Sequence, residues 1–149
     1  MKIHKALKVK NRLAGEVARL MEILKRENSR RSDDTSTVER AAIHKQLLDN
    51  IEKLISIKSA ISTANIGIYY KIVRLNELKG LINFMKSLPT RKGEEKVFTG
   101  RGDQILTYTW DAFLSQEDVD KETVSLQKQI NEIQDEIDQF NSNTEVGID

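Results

Sequence analysis

Leu126, Ile130, Ile133, Ile137 and Phe140 recur at intervals of four, three, four and three residues. That spacing confines the stretch to a helix with one apolar stripe. Such a stripe is useful only against other stripes, so the rest of the chain is read as the partners that cover it. The composition agrees: 32% of residues are charged and 5% aromatic, with one proline and no cysteine. This mix favours long helices over sheets with many turns. At 149 residues the length matches one domain, 1–149, large enough to bury a core.

Taken in order, Ile3, Leu7, Leu13, Val17, Leu20, Met21 and Leu24 follow helical spacing and predict a first helix over 2–28, with Lys10 where a seam residue would fall. A polar linker, Asn28 to Thr37, follows. It ends in Ser36-Thr37-Val38-Glu39, the pattern of a capping box, in which serine and glutamate each satisfy the other's free backbone N–H. The second helix is therefore expected over 37–64, with Val38, Ala41, Ala42, Leu47, Leu48, Ile51, Leu54, Ile55 and Ile61 on its stripe.

At Asn65-Ile66-Gly67 two readings stand. Asn and Gly tolerate positive φ and end helices, which favours a turn that folds the next helix back. The stripe nevertheless stays in phase through Ile61, Asn65, Ile68, Ile72 and Leu75, as one continuous helix with Asn65 in its seam would require. The turn is the preferred reading and gives a third helix over 68–88, stopped by Pro89.

Between residues 96 and 110 the pattern changes to β-branched and aromatic residues around Gly100 and Gly102, which predicts a β-hairpin. Leu106, Tyr108 and Trp110 alternate onto one face. A lone hairpin is marginal in water, so it must pack on the helices or pair with another chain. Ser115 with Glu117 and Asp118 opens the last helix, over 116–141, as a serine cap with acids in the first turn. The polar tail beyond Phe140 is expected to fray.

Charge is distributed unevenly behind a net +1. Residues 1–31 carry ten Lys/Arg against Glu16, Glu22 and Glu27, and residues 111–149 carry eleven Asp/Glu against Lys121 and Lys128. Segments of opposite sign in one chain are most simply neighbours in the bundle or faces that match across subunits. The basic segment also has the form of a phosphate-binding stripe, yet it lacks aromatic residues for base stacking.

Chemistry-bearing patterns are fragmentary. Without cysteine there is no disulfide, Cys-ligated zinc or thiolate nucleophile, which fits a reducing cytoplasm. His4 and His44 have no Asp, Glu or His at metal-ligand spacing. Asp33-Asp34 and Glu94-Glu95 fall in expected loops, where solvated charge outweighs paired-carboxylate catalysis. Gly100-Arg101-Gly102-Asp103 holds an adhesion-type tripeptide but neither a P-loop nor a dinucleotide fingerprint. No run of 18 or more apolar residues exists, and Met1-Lys2-Ile3-His4-Lys5 lacks the apolar stretch of a secretory signal.

The opening Met1-Lys2-Ile3 with Lys5-Ala6-Leu7, followed by Arg12-Leu13 and by Leu20 to Asn28, resembles the septicolysin-like family of small bacterial proteins. So do the helix end Ile61 to Asn65 and the closing Leu126-Gln127-Lys128-Gln129 with Glu136-Ile137-Asp138. The resemblance spans most of the chain and rests on helical patterns. The connection after Asn65 is shortened to Ile66-Gly67, and the loop-and-strand region before the last helix differs. The family implies a helical fold with a small β element, and its name suggests a cytolysin; no functional residues carry over.

The expected fold is mainly α: an elongated antiparallel helical bundle or coiled coil of about four helices, with a small β-hairpin before the last. The expected function is non-enzymatic assembly through self-association into a homo-oligomer, with no cofactor or metal and a further protein partner left open. Lys8, Arg12, Arg19, Lys25, Arg26, Tyr108 and Trp110 are the candidate interaction residues. A membrane-active cytolysin-like protein, or a nucleic-acid binder in which Arg30 and Arg31 extend the basic set, ranks below.

Overall fold

The computed structural model describes residues 1–100, 102 and 104–147 and is mainly helical, with one two-stranded antiparallel sheet before the last helix. The chain divides into two compact units. Unit 1 holds Met1–Tyr69 and the stretch from Asp138 onward; unit 2 holds Tyr70–Ile137.

Unit 1 is built on two antiparallel helices, α1 (Ile3–Glu27) and α2 (Arg40–Ala64). In α1 the buried residues are Ile3, Ala6, Leu13, Val17 and Leu20, and in α2 they are Leu47, Asn50, Leu54, Ile57 and Ile61. Both sets follow three-and-four spacing, which turns one narrow stripe of each helix toward the other. Lys10 occupies the seam position between Ala6 and Leu13 and is half-buried, as a lysine is when its stem lies on apolar surface and its amine reaches water. The register is fixed by Asn50, whose Nδ2 donates to Glu16 Oε2 at 3.3 Å, and by Arg40, which donates to the carbonyls of Glu27 (3.5 Å) and Asn28 (3.0 Å). A cation on those carbonyls also suits the negative end of the α1 dipole. Met21, Leu48 and Ile55, placed inward by periodicity, are exposed instead. A two-helix contact buries less than half of each cylinder, so the flanks of the stripe face water.

The helix start at residue 37 needs correction, because α2 begins at Arg40 and Glu39 occupies its N-cap position without a side-chain cap. The Asp34 carboxylate accepts the Ser36 N–H at 2.9 Å, and the Ser36 hydroxyl accepts the Val38 N–H at 3.4 Å. These local turns hold the chain extended where a capping box would have wound it.

The turn at Asn65-Ile66-Gly67 is likewise corrected. Asn65 has φ −80° and ψ −5°, Asn65–Ile68 is a 3-10 segment, and Gly67 is not among the positive-φ glycines. The backbone therefore stays helical from α2 into α3 (Tyr69–Ser87), so that with α2 and α3 taken as one continuous helix the described residues form three helices in place of the expected four. Seam phase prevailed over the local preference of Asn and Gly, since Ile61 and Ile68 are both buried. Gly67 has a packing role: the site of its missing Cβ lies 3.8 Å from the Phe140 ring. The tail does not fray at Phe140. The last helix runs to Asn143, and residues 144–146 return along the start of α1, with Ile3 N–H donating to Thr144 O (3.0 Å) and Val146 N–H to Met1 O (2.7 Å). Val146 is 2% exposed and closes the core beside Ile3.

In unit 2, α3 runs antiparallel to α4 (Gln116–Asn143), tied by the Lys71–Glu136 ion pair, by Arg74 donating to Gln129 at 3.3 Å, and by Thr90 donating to Gln116 at 2.6 Å. Leu75, Ile82 and Met85 of α3 are buried, as are Val119, Leu126, Ile130, Ile133 and Ile137 of α4. The stripe from Leu126 to Ile137 is thus a buried seam, and Phe140 is partly buried. Ser115 caps α4 reciprocally with Asp118: the Asp118 N–H donates to Ser115 Oγ (3.1 Å) and the Ser115 N–H to Asp118 Oδ2 (3.0 Å). The Ser115 backbone N–H, and after it the Ser115 hydroxyl, hold the Asp118 carboxyl below its ordinary range. Ser115→Ala is expected to destabilise the helix start by about 1 kcal/mol, read as a lower urea midpoint. The sign with pH follows: because the folded value lies below the unfolded one, Asp118 stabilises fully above the ordinary carboxylate range and loses that effect as pH falls through its depressed value. A urea midpoint that falls less on acidification in Ser115→Ala than in wild type checks this.

The hairpin pairs β1 (Gly93–Phe98) with β2 (Ile105–Trp110), starting three residues before the expected position 96. Gly93, at φ +90°, opens it in a conformation that residues with a Cβ rarely adopt. Arg101 and Asp103 of the adhesion-type tripeptide lie outside the described residues.

Candidate interaction surfaces

The hairpin register places Val97 opposite Leu106, Glu95 opposite Tyr108, and Gly93 opposite Trp110. Since side chains alternate along a strand, Val97, Leu106, Tyr108 and Trp110 share one face. Of the strand residues only Glu95 is even partly buried; Tyr108 is 50% and Trp110 46% exposed. The face is held in place from its rim. The Trp110 indole N–H donates to Glu95 Oε2 at 2.6 Å, Arg91 pairs with Glu95 at 2.9 Å, and the Arg91 guanidinium sits 5.0 Å from the Trp110 ring centroid. This triad holds the ring through a hydrogen bond and a cation–π contact, with the Arg91–Glu95 ion pair joining the two partners. The result is an oriented apolar face whose side chains stay in water.

A second uncovered apolar surface lies on α3, which is apolar on two sides. Leu75, Ile82 and Met85 face inward, while Tyr70, Val73, Leu81 and Phe84 are 73%, 41%, 44% and 56% exposed. At 100° per residue Val73 and Phe84 lie on the side of the helix opposite Leu75 and Ile82, with Tyr70 and Leu81 on the flank between them and Met85. The second set was missed in the sequence because two opposed stripes blur each other's period; its signal was the excess of apolar residues in α3 over what one seam needs.

Lys8, Arg12, Arg19 and Arg26 fall on one exposed face of α1, opposite its seam, with Lys5 beside them and Lys25 about a quarter-turn away. Arg26 pairs with Glu27 at 3.4 Å. Within the units, α1 packs on α2 and α4 is tied to α3 by Lys71–Glu136. Acidic tail and basic helix meet at Glu145, which Lys2 approaches to 3.1 Å. A groove of about 390 Å³ beside the stripe is lined by Val9, Arg12, Glu16, Asn50, Lys53 and Ser56, among others, and its carboxylate is engaged by Asn50.

Proton affinities are displaced at solvent-exposed positions by local partners. The hydrogen bond between Lys45 and Asp49 raises the amine and lowers the carboxyl, and Lys2 lowers Glu145. These are surface pairs rather than groups converging in a pocket. Among the described residues no group of three or more His, Asp or Glu is placed to hold a metal ion. No described helix is long and apolar enough to cross a membrane. Compared with protein-family models, curated proteins and solved structures, the chain matches none of them.

Proposed function

We propose that this chain is a non-enzymatic assembly protein that acts through self-association, its helices packed as antiparallel coiled-coil pairs and its hairpin presented as a contact element. The observation that carries the reading is the hairpin, which is exposed on both faces and stands on no core of its own. Two strands alone are marginal in water, and an oriented cluster of Val97, Leu106, Tyr108 and Trp110 left in solvent is a surface in want of a partner. The thin cores support the same reading, because a single seam between two helices buries little area for each ordered residue. The opposite charge carried by α1 and α4 suits faces that match between copies.

Sedimentation velocity at micromolar concentration tests the proposal. The expected result is a mass above that of one chain, reduced by the double variant Tyr108→Ser, Trp110→Ala while the helical circular dichroism is kept. A compact monomer throughout the micromolar range overturns it.

The outward stripe of Lys8, Arg12, Arg19 and Arg26 favours a second reading, binding of a polyanion such as nucleic acid. A gel shift that weakens steeply with salt distinguishes that reading, since each phosphate neutralised contributes roughly −0.9 to the slope of log K against log salt. Kinship with septicolysin-like proteins belongs to the same set of proposals and supplies no site residues; dye release from anionic liposomes is its test.

A further inference from the structure

We propose that the outward face of α3 pairs with the same face of a second copy, antiparallel about a two-fold axis. This rests on the self-association reading and names the surface and register it uses. Tyr70, Val73, Glu77, Gly80 and Phe84 follow three, four, three and four spacing, a second seam on the side of α3 opposite Leu75 and Ile82. Two features make the occupant another copy of this helix.

The first is shape. In an antiparallel pair whose facing residue numbers sum to about 150, Tyr70 of each copy lies over Gly80 of the other. Tyr70 is 73% exposed, and a Cβ built on Gly80 meets nothing within 4 Å, so the largest side chain of the seam faces its one gap. The same register sets Val73 of each copy against the stem of Glu77 of the other, with Leu81 flanking Tyr70.

The second is charge. Glu77 sits in the middle of the apolar seam, and no ion pair or hydrogen bond engages it among the described residues. A carboxylate covered by an apolar partner without a cation would be strongly unfavourable. The antiparallel register places Arg74 of one copy next to Glu77 of the other, twice by symmetry. Arg74 is exposed and donates one hydrogen bond, to Gln129 through Nη2, which leaves guanidinium donors for a second acceptor. Parallel pairing would instead stack Glu77 on Glu77 and Gly80 on Gly80, with like charge at the centre and a void beside it. The two-fold antiparallel arrangement is therefore the one this sequence satisfies, and its contact is isologous and closed.

The test measures the association constant by sedimentation equilibrium for wild type, Glu77→Arg, Arg74→Glu, the double exchange and Gly80→Leu, with circular dichroism and melting as controls of fold. Each single charge reversal puts two like-charge contacts at the axis and is expected to weaken association about tenfold or more. The double exchange restores it, because both copies then carry the swapped pair. Gly80→Leu blocks the Tyr70 seat and weakens association while the isolated helix gains propensity. Association unchanged in Glu77→Arg and Gly80→Leu, or a double exchange no better than its singles, overturns this pairing and leaves self-association through another surface standing. A monomeric wild type at high micromolar concentration overturns the parent proposal itself.

Discussion

Leu20→Ala is expected to lower the unfolding free energy by roughly 2–5 kcal/mol, the range for deleting a buried leucine side chain. Leu20 is 0% exposed in the core of the α1–α2 seam, at the level of Val17 and Leu47. Urea unfolding followed by helical circular dichroism measures the loss. A loss below about 1 kcal/mol would mean that the seam collapses around the truncated residue, against the packing described here.

Asn50→Asp is the second large effect and acts through charge. Asn50 is 5% exposed and its amide donates to Glu16, so the exchange replaces the donor with a carboxylate facing a carboxylate. Leaving two like charges together in a mostly desolvated seam costs about 3 kcal/mol at neutral pH. The new carboxyl has its folded pKa raised above the unfolded value by burial and by Glu16. The destabilisation is therefore complete above that raised value and vanishes as pH falls through it to the ordinary carboxylate range. A urea midpoint well below wild type at neutral pH that converges with wild type on mild acidification is the expected pattern. A deficit independent of pH would place Asn50 outside the electrostatic reach of Glu16.

Asn50 also illustrates how much was legible in the chain. Seam positions set by repeated spacing were read directly: Leu126, Ile130, Ile133 and Ile137, and in α1 Leu13, Val17 and Leu20, are buried as periodicity required. Asn50 and Ile57 were not read as seam residues, while Leu48 and Ile55 were, although they are exposed. Each alternative lies two residues from its counterpart and so on nearly the opposite side of the helix, and apolar character alone favours Leu48 over Asn50. Only the partner helix, with Glu16 in place to accept the Asn50 amide, selects between them.

The interaction residues divide in the same way. Alternation put Leu106, Tyr108 and Trp110 on one face, and the strand register bears that out and adds Val97. Arg91 and Glu95, which orient the indole, gave no sequence signal, because one precedes the strands and the other joins the face only through cross-strand pairing. Lys8, Arg12, Arg19 and Arg26 were legible as a basic stripe, and α1 places them on one exposed face.

By itself the sequence determined what depends on spacing along the chain: mainly helical structure, a hairpin before the last helix, the serine cap at Ser115, and the apolar stripe from Leu126 to Phe140. These follow from local geometry, since a period of 3.6 or 2 residues and a side chain that reaches its own backbone need no distant partner. Tertiary structure decided what depends on competition between distant surfaces. The seam ran through Asn65-Ile66-Gly67 because burying Ile61 and Ile68 in phase outweighs the preference of Asn and Gly for a turn. The pairing of α1 with α2 and of α3 with α4 follows apolar burial along their seams, which water and salt do not screen as they screen surface charge.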